Sequence, residues 1–562
     1  MKRFSTMLLS AALCLNLMAC GQKEEAVQPP DTEDPAVQTW DGSLTIELSD
    51  DKILVDGAEA ATDPASAVYI ANDIVYYEEG KDFTYGEGTE ADAHSAEEAA
   101  AHTVVRITQP GTYVLQGKLS AGQVAVDLGE DAEEDPNAVV TLVLNGVDIT
   151  CTVAPAVIFY NVYECGSTDT ETASKDVDTS AAGANVIIAD GTENTVNGSY
   201  VARIYKPDSV ELSEDGTEVL DAKKLHKYDA AFYSKMSMNV SGESSSVEGG
   251  SGVLNINAEN EGLDSELHLT INGGDINIVS GNDGINTNED GVSVTTINGG
   301  SVSIVVSGET GEGDGIDSNG WLVINGGTVT AAACNNSADS GIDSDMGIHI
   351  NGGFVAASGH MLDRIEDGGQ TYAVFTFAQT QKGGTEVTLK SADGDMATYT
   401  PANDYSILLV CDPFLEEGDY TLWQGEQQLA HGGAMGGGFR PGGMGMSGGT
   451  ERPEPPEGMK FPEGLEPSEL PEGMERPEEA VRPEGMEPPE LNEDGTITLP
   501  DGTVIDPSQM QRPEGQGGGR GPGGMMGGGR PGMMGGAGET ERSDVFAIQN
   551  GGNMFSGVSA AE

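Results

Sequence analysis

The sequence predicts an all-β chain folded as a parallel β-helix, and three observations carry that prediction. The phrase Ile-Asn-Gly-Gly starts at Ile271, Ile297, Ile324 and Ile350, with spacings of 26, 27 and 26 residues. A second phrase keeps step with it: Glu261-Gly-Leu-Asp-Ser265, Asp283-Gly-Ile-Asn-Thr287, Asp314-Gly-Ile-Asp-Ser318 and Ser340-Gly-Ile-Asp-Ser344. After each glycine pair comes an alternating run, such as Ser301-Val-Ser-Ile-Val305 or Thr328-Val-Thr-Ala-Ala332. Alternation of period two puts every second side chain on one face of a strand. One such unit cannot bury its inner face alone, whereas stacked units share a continuous core. Stacking would turn Ile271, Ile297, Ile324 and Ile350 inward. It would also place Asn272, Asn298, Asn325 and Asn351 in an amide ladder at one corner, with glycine supplying the left-handed turns.

The elements follow in chain order. Lys2 and Arg3 precede an apolar run from Met7 to Met18 that is too short to span a bilayer, which marks residues 1–19 as an export signal. Leu17-Met-Ala-Cys20 resembles the bacterial lipobox, which implies lipidation at Cys20 and attachment of the exported chain to the cell envelope by lipid alone. Residues 20–40, rich in Glu, Pro and Asp, read as a tether. Residues 41–102 read as an N-terminal β segment with an acidic loop, in which Gly86 to His102 forms a loop or a short helix. Residues 103–369 are the β-helix, with insertions near 166–182 and 206–227. Residues 370–431 lose the repeat but keep strands, as a small C-terminal β cap over the exposed edge would. Residues 432–541 are dominated by Gly, Pro, Met and Glu and cannot bury enough apolar surface to order themselves, apart from a hairpin expected over 494–505. Residues 542–562 read as a returning strand of the cap, which makes the low-complexity segment an insertion. Of the later cysteines, Cys151 and Cys165 either pair or stay, with Cys334 and Cys411, as buried thiols.

Charge narrows the function. The 562-residue chain carries a formal net charge of −67, so nucleic acid is excluded as a partner and divalent cations are favoured. Between Lys235 and Arg364 there is no Lys or Arg, while the span holds 18 Asp and Glu. Stacking places Asp264, Asn286, Asp317 and Asp343 in one column, with Asp283 and Asp314 in a second beside it. Rungs lie about 4.8 Å apart, so ionised neighbours repel. Calcium takes six to eight oxygen ligands and can bridge such carboxylates. The competing reading is that Asp-Gly marks solvated turns.

These phrases, preceded by Pro110-Gly-Thr-Tyr-Val-Leu-Gln-Gly-Lys118 and Leu142-Val-Leu-Asn-Gly146, resemble the clostridial-type carbohydrate-binding β-helix family, long labelled a domain of unknown function. The resemblance covers roughly residues 100–430. It implies a right-handed, pectate-lyase-like β-helix that binds calcium and plant cell-wall polysaccharide, acidic pectin or cellulose among them. The family pattern often carries Lys where this chain has Asp or Asn, so the columns here are more acidic. The resemblance therefore implies a non-catalytic, surface-attached glycan-binding protein, with Trp321 either a sugar platform or a core aromatic. Two alternatives stand beside it. A polysaccharide lyase needs a base, which only Lys235, Arg364 or more distant residues can supply, and a hydrolase needs paired carboxylates. A structural adhesin needs neither. His268 and His349 are expected at the surface.

Overall fold

The computed structural model describes residue 40 and residues 42–244, 252–432 and 542–561, together with two-residue strands at 490–491, 497–498 and 504–505. The export signal, Cys20, the tether up to residue 39 and, apart from those short strands, the segment 433–541 with its disorder reading lie outside the described residues. The chain divides into two units, residues 1–444 with 538–562, and residues 445–537.

The first unit is all-β, with large sheets in which successive copies of the repeat pair in parallel. A first run of strands comprises Met238–Gly242, His268–Ile271, Val294–Ile297, Trp321–Ile324 and Gly347–Ile350. Its register aligns Ile271, Ile297, Ile324 and Ile350, all of them buried, as the alternation requires. Each fully buried Ile contributes about 2 kcal/mol relative to an exposed one. A second run comprises Val253–Ala258, Asp275–Ser280, Ser301–Val306, Thr328–Ala332 and Phe354–Gly359. A third comprises Thr103–Ile107, Gly122–Asp127, Val157–Asn161, Ala230–Ser234, Glu261–Ser265, Ile285–Thr287 and Ile316–Ser318. The long strand Val140–Cys151 feeds the first two runs, pairing with Ala184–Ile188 and then with Glu193–Gly198. Parallel pairing starts upstream of residue 103, because Leu44–Leu48 lies beside Tyr113 to Gly117. One core of buried side chains extends from Ile46 to Cys411.

The Asn-Gly-Gly corners show why the phrase is kept. The Asn298 amide donates to Asn272 Oδ1 at 2.8 Å, Asn325 to Asn298 at 2.9 Å, and Asn351 to Asn325 at 2.8 Å. The expected ladder is therefore present. The second glycine of each pair has positive φ, +84° at Gly300, where an added Cβ would sit 2.6 Å from the Gly274 carbonyl oxygen. Neither the turn nor the close stacking tolerates a side chain.

Past Phe354–Gly359 the pairing becomes antiparallel with Tyr405–Cys411, which covers the open edge of the second run. The strands Tyr372–Gln381, Val387–Ser391 and Gly418–Gln424 belong to this cap. Phe546–Ile548 pairs with Gly418 to Tyr420, and Gly552–Ala560 runs parallel to Tyr372–Gln381. Phe375, Phe546 and Phe555 pack with ring centroids 5.1 to 5.6 Å apart in a separate apolar core. The acidic loop holds the single α-helix among the described residues, Ala96–Ala100, started by a capping box of Ser95 and Glu98. Cys151, Cys165, Cys334 and Cys411 are free thiols. In the second unit Ile497–Thr498 pairs antiparallel with Val504–Ile505, the hairpin expected there. Among the described residues no helix is long and apolar enough to cross a membrane.

Candidate functional site

The third run carries the acids. Leu263, Ile285 and Ile316 are register partners in the core, so the next residue of each strand faces the other way. Those residues are Asp264, Asn286 and Asp317, and they too are in register. A bridge between Ile316 and Ile342 continues the column to Asp343. On the upstream side the column ends at Tyr233, opposite Asp264.

Although this face is turned from the apolar core, much of it is buried. Asp264 is fully enclosed, and carboxylate oxygens of Asp229, Glu261 and Asp264 lie within 4.8 Å of one another. Asn286 Nδ2 donates to Glu261 Oε1 at 3.2 Å, and Asn288 Nδ2 donates to both oxygens of Asp264, at 2.9 and 3.1 Å. Lys227 Nζ sits 2.6 Å from Asp229 Oδ2. These contacts leave Glu261 Oε2 and Asn286 Oδ1 buried without a hydrogen-bond partner, in residues only 5% and 7% exposed. Each buried acceptor left unpaired costs about 1–3 kcal/mol, more where it is charged. Three buried carboxylates whose nearby donors leave two oxygens orphaned fit a hard cation. Asp229, Glu261 and Asp264 are the groups that can hold one.

Further along, backbone amides relieve part of the charge. Asp314 N donates to Asp283 Oδ1 at 2.7 Å, and Ser340 N to Asp314 Oδ1 at 2.5 Å. The relief is incomplete. Burial, then repulsion from neighbouring acids, holds Glu261, Asp264, Asp283 and Asp314 well above the ordinary carboxylate range. Burial and the Asp345 charge bring Asp317 to about 6; burial and the Asp317 charge bring Asp343 to about 7. Asp343 Oδ1 has no hydrogen-bond partner.

The repeat therefore brings Asp264 beside Asn286 and Asp283 beside Asp314, but the tightest cluster contains two acids the column reading did not nominate. Glu261 occupies the phrase position of Asp283 and Asp314, with one more methylene. Asp229 opens the degenerate copy Asp229-Ala-Ala-Phe-Tyr-Ser234, which has one extra residue, so Ala230 rather than Asp229 aligns with Glu261. Trp321 stands apart from the acids, half-buried in the first run between Val294 and Gly347. His268 corrects the surface expectation. It is 2% exposed, its Nδ1 accepts the Val294 amide at 3.1 Å, and burial lowers its pKa to about 4. His349 is half-buried.

Next to the triad opens a cleft of about 840 Å³ lined by Arg106, Lys224, Lys227, Lys235, Tyr228 and Tyr233 among others. Tyr228 meets Tyr233 edge-on at 5.2 Å and Tyr160 at 5.5 Å. Every residue of the strand Lys224–Tyr228 lines it, and this strand is paired antiparallel with Val201–Tyr205 outside the 26-residue repeat.

The family model for carbohydrate-binding domain-containing proteins matches residues 101–394, just over half of the chain. Among solved structures, a polysaccharide lyase-like protein from C. thermocellum, in a gadolinium derivative, is 21% identical with a TM-score of 0.32. That alignment covers 56% of this chain and 90% of the other. No curated protein matches the chain.

Proposed function

Since the chain belongs to the carbohydrate-binding domain-containing family, we propose that it is a non-catalytic polysaccharide-binding protein whose stacked strands form a right-handed parallel β-helix stabilised by calcium. The observation that carries the metal half of this reading is the orphaned Glu261 Oε2 inside a triad of buried acids. Calcium would be held by Asp229, Glu261, Asp264 and Asn286. Asp283, Asp314, Asp317 and Asp343 provide further oxygens along the column. Bound there, the ion supplies the positive charge that the acid-rich strands lack. The chain's own residues do the rest: parallel runs hold the acids in register, and the amide corners keep the rungs evenly spaced.

The Leu17-Met-Ala-Cys20 sequence supports attachment to the envelope through a lipid on Cys20, with the binding domain displayed outside. The glycan is an acidic, pectin-type polymer or a cellulose-type one. Retention of the protein on immobilised polygalacturonate and on cellulose, with calcium and then with chelator, tests the reading. Retention on one polymer that chelator weakens supports it, and no retention on any polysaccharide refutes it.

A second reading, polysaccharide lyase, draws on the cleft, because Lys235 and Arg106 there provide the kind of base that elimination needs. Release of unsaturated sugar ends from polygalacturonate by the purified chain would establish that reading over the first.

A further inference from the structure

The cleft is where this anionic chain gathers cations. Arg106, Lys224, Lys227 and Lys235 all line it, and each has an acidic partner: Asp73 at 3.1 Å, Glu266 at 3.1 Å, Asp229 at 2.6 Å and Glu133 at 3.7 Å respectively. Glu130, Glu164 and Glu289 also face the opening, so the cleft is not a simple positive patch. Two of its cations are open to solvent. Lys235 and Glu133 are each 43% exposed, and Lys224 is 44% exposed. Exposed pairs of this kind add little to stability, so an incoming carboxylate can replace Glu133 or share Lys224 at small cost. Tyr233, whose hydroxyl donates to Glu266, and Tyr228 give the site a rigid aromatic floor.

Lys227 differs from the other three. It lines the cleft, yet its ammonium rests on Asp229, a member of the buried triad. It therefore partly neutralises the cluster that a divalent cation would otherwise satisfy. An ion held by Asp229, Glu261 and Asp264 would face this ammonium at close range and repel it.

We propose that the cleft receives a carboxylated saccharide unit and that Lys227 couples it to the metal: a cation entering the triad drives the ammonium off Asp229 into the cleft, where it joins Lys224 and Lys235 on the ligand carboxylate. This rests on the polysaccharide-binding reading and assigns the place and the switch. Coupling of this kind is reciprocal, so the saccharide must strengthen cation binding as the cation strengthens saccharide binding.

The test is calorimetric titration of the full chain with calcium, with an oligogalacturonate, and with an uncharged cello-oligosaccharide of equal length. Calcium is expected to raise oligogalacturonate affinity about tenfold, within the usual range of coupling between sites. Lys227→Met should bind calcium more tightly than wild type and bind the uronate with no dependence on calcium. The double variant Lys224→Ala/Lys235→Ala should keep wild-type calcium affinity while losing about tenfold in uronate affinity, the scale of one charge-assisted contact. Both lysines are nearly half exposed, so this variant keeps the test decisive should Lys227→Met fail to fold.

If wild type binds the uronate and the double variant binds it equally well, the cleft is not the site, although glycan binding stands. Coupling that survives Lys227→Met overturns the switch. Equal affinity for the uncharged oligosaccharide overturns carboxylate recognition. A wild-type chain that binds no saccharide overturns the polysaccharide reading and this inference with it.

Discussion

One repeat builds two ladders, and they solve the same problem differently. At the corner, Asn272, Asn298, Asn325 and Asn351 stack so that each of the last three donates to the asparagine before it, at 2.8 to 2.9 Å. An amide has both donors and acceptors, so a column of amides satisfies itself. On the third run the column is Asp264, Asn286, Asp317 and Asp343, and an ionised carboxylate only accepts. Asp264 in it borrows donors from Asn288, and the neighbouring acids Asp283, Asp314 and Asp229 borrow theirs from the backbone of Asp314 and Ser340 and from Lys227. Those donors run out, leaving Glu261 Oε2 and Asp343 Oδ1 unpaired. Geometric regularity is therefore enough for the amides and insufficient for the acids, which need a cation or protons.

The largest expected effect removes the charge that makes the ladders differ. Glu261→Gln/Asp264→Asn should melt at the same temperature with calcium and with chelator. Wild type should gain about 3 kcal/mol at calcium a hundredfold above its dissociation constant. In chelator the double variant should be the more stable of the two, since it lacks the buried repulsion.

Next is the response to pH without metal. Asp317 and Asp343 have folded values near 6 and 7, against 3.8 ordinarily, so the folded chain holds their protons more tightly than the unfolded one. Their stabilising contribution is complete below about pH 4 and is lost as pH rises through 6 and 7. In chelator, wild type should therefore lose melting temperature over this window, and Asp317→Asn/Asp343→Asn should lose less. Equal slopes would show that the column acids are solvated after all.

A change at the corner backbone should be smaller and independent of calcium. Gly300→Ala, at φ +84° and against the Gly274 carbonyl, should cost more than about 1 kcal/mol in urea denaturation. The smallest effect should come from breaking the amide ladder itself. Asn325→Ala exposes its neighbours' amides to water, which can replace the lost bonds, so the loss should be about 0.5–1 kcal/mol in the same assay.

The two ladders also differ in how far the sequence discloses them. Both columns are legible where their phrases recur: the amide column every 26 or 27 residues, and the acid column at spacings of 22, 31 and 26, with Asp264, Asn286, Asp317 and Asp343 each at the same place in its phrase. Legibility fails where the period slips. Asp229 stands in a copy lengthened by one residue, and Tyr233 takes the column position that Asp264 holds in the next rung. Glu261 was in phase but is longer than the aspartates it replaces, and its reach to Asp229 depends on packing rather than pattern. His268 reads as polar on an alternating strand, yet the chain near Gly166 covers it: an added Cβ on that glycine would lie 2.7 Å from the ring. The cleft was least legible of all, since Lys224–Tyr228 pairs with Val201–Tyr205 across an insertion with no repeat to follow, while Arg106 and Tyr233 reach the same cleft from the third run.

The most direct test of the central claim is calcium calorimetry on the chelator-stripped full chain, run beside Glu261→Gln/Asp264→Asn. The account predicts saturable binding to wild type and loss of that binding in the double variant. Silence from wild type, or equal binding by both proteins, would contradict it and return the acid column to the status of a buried but metal-free ladder.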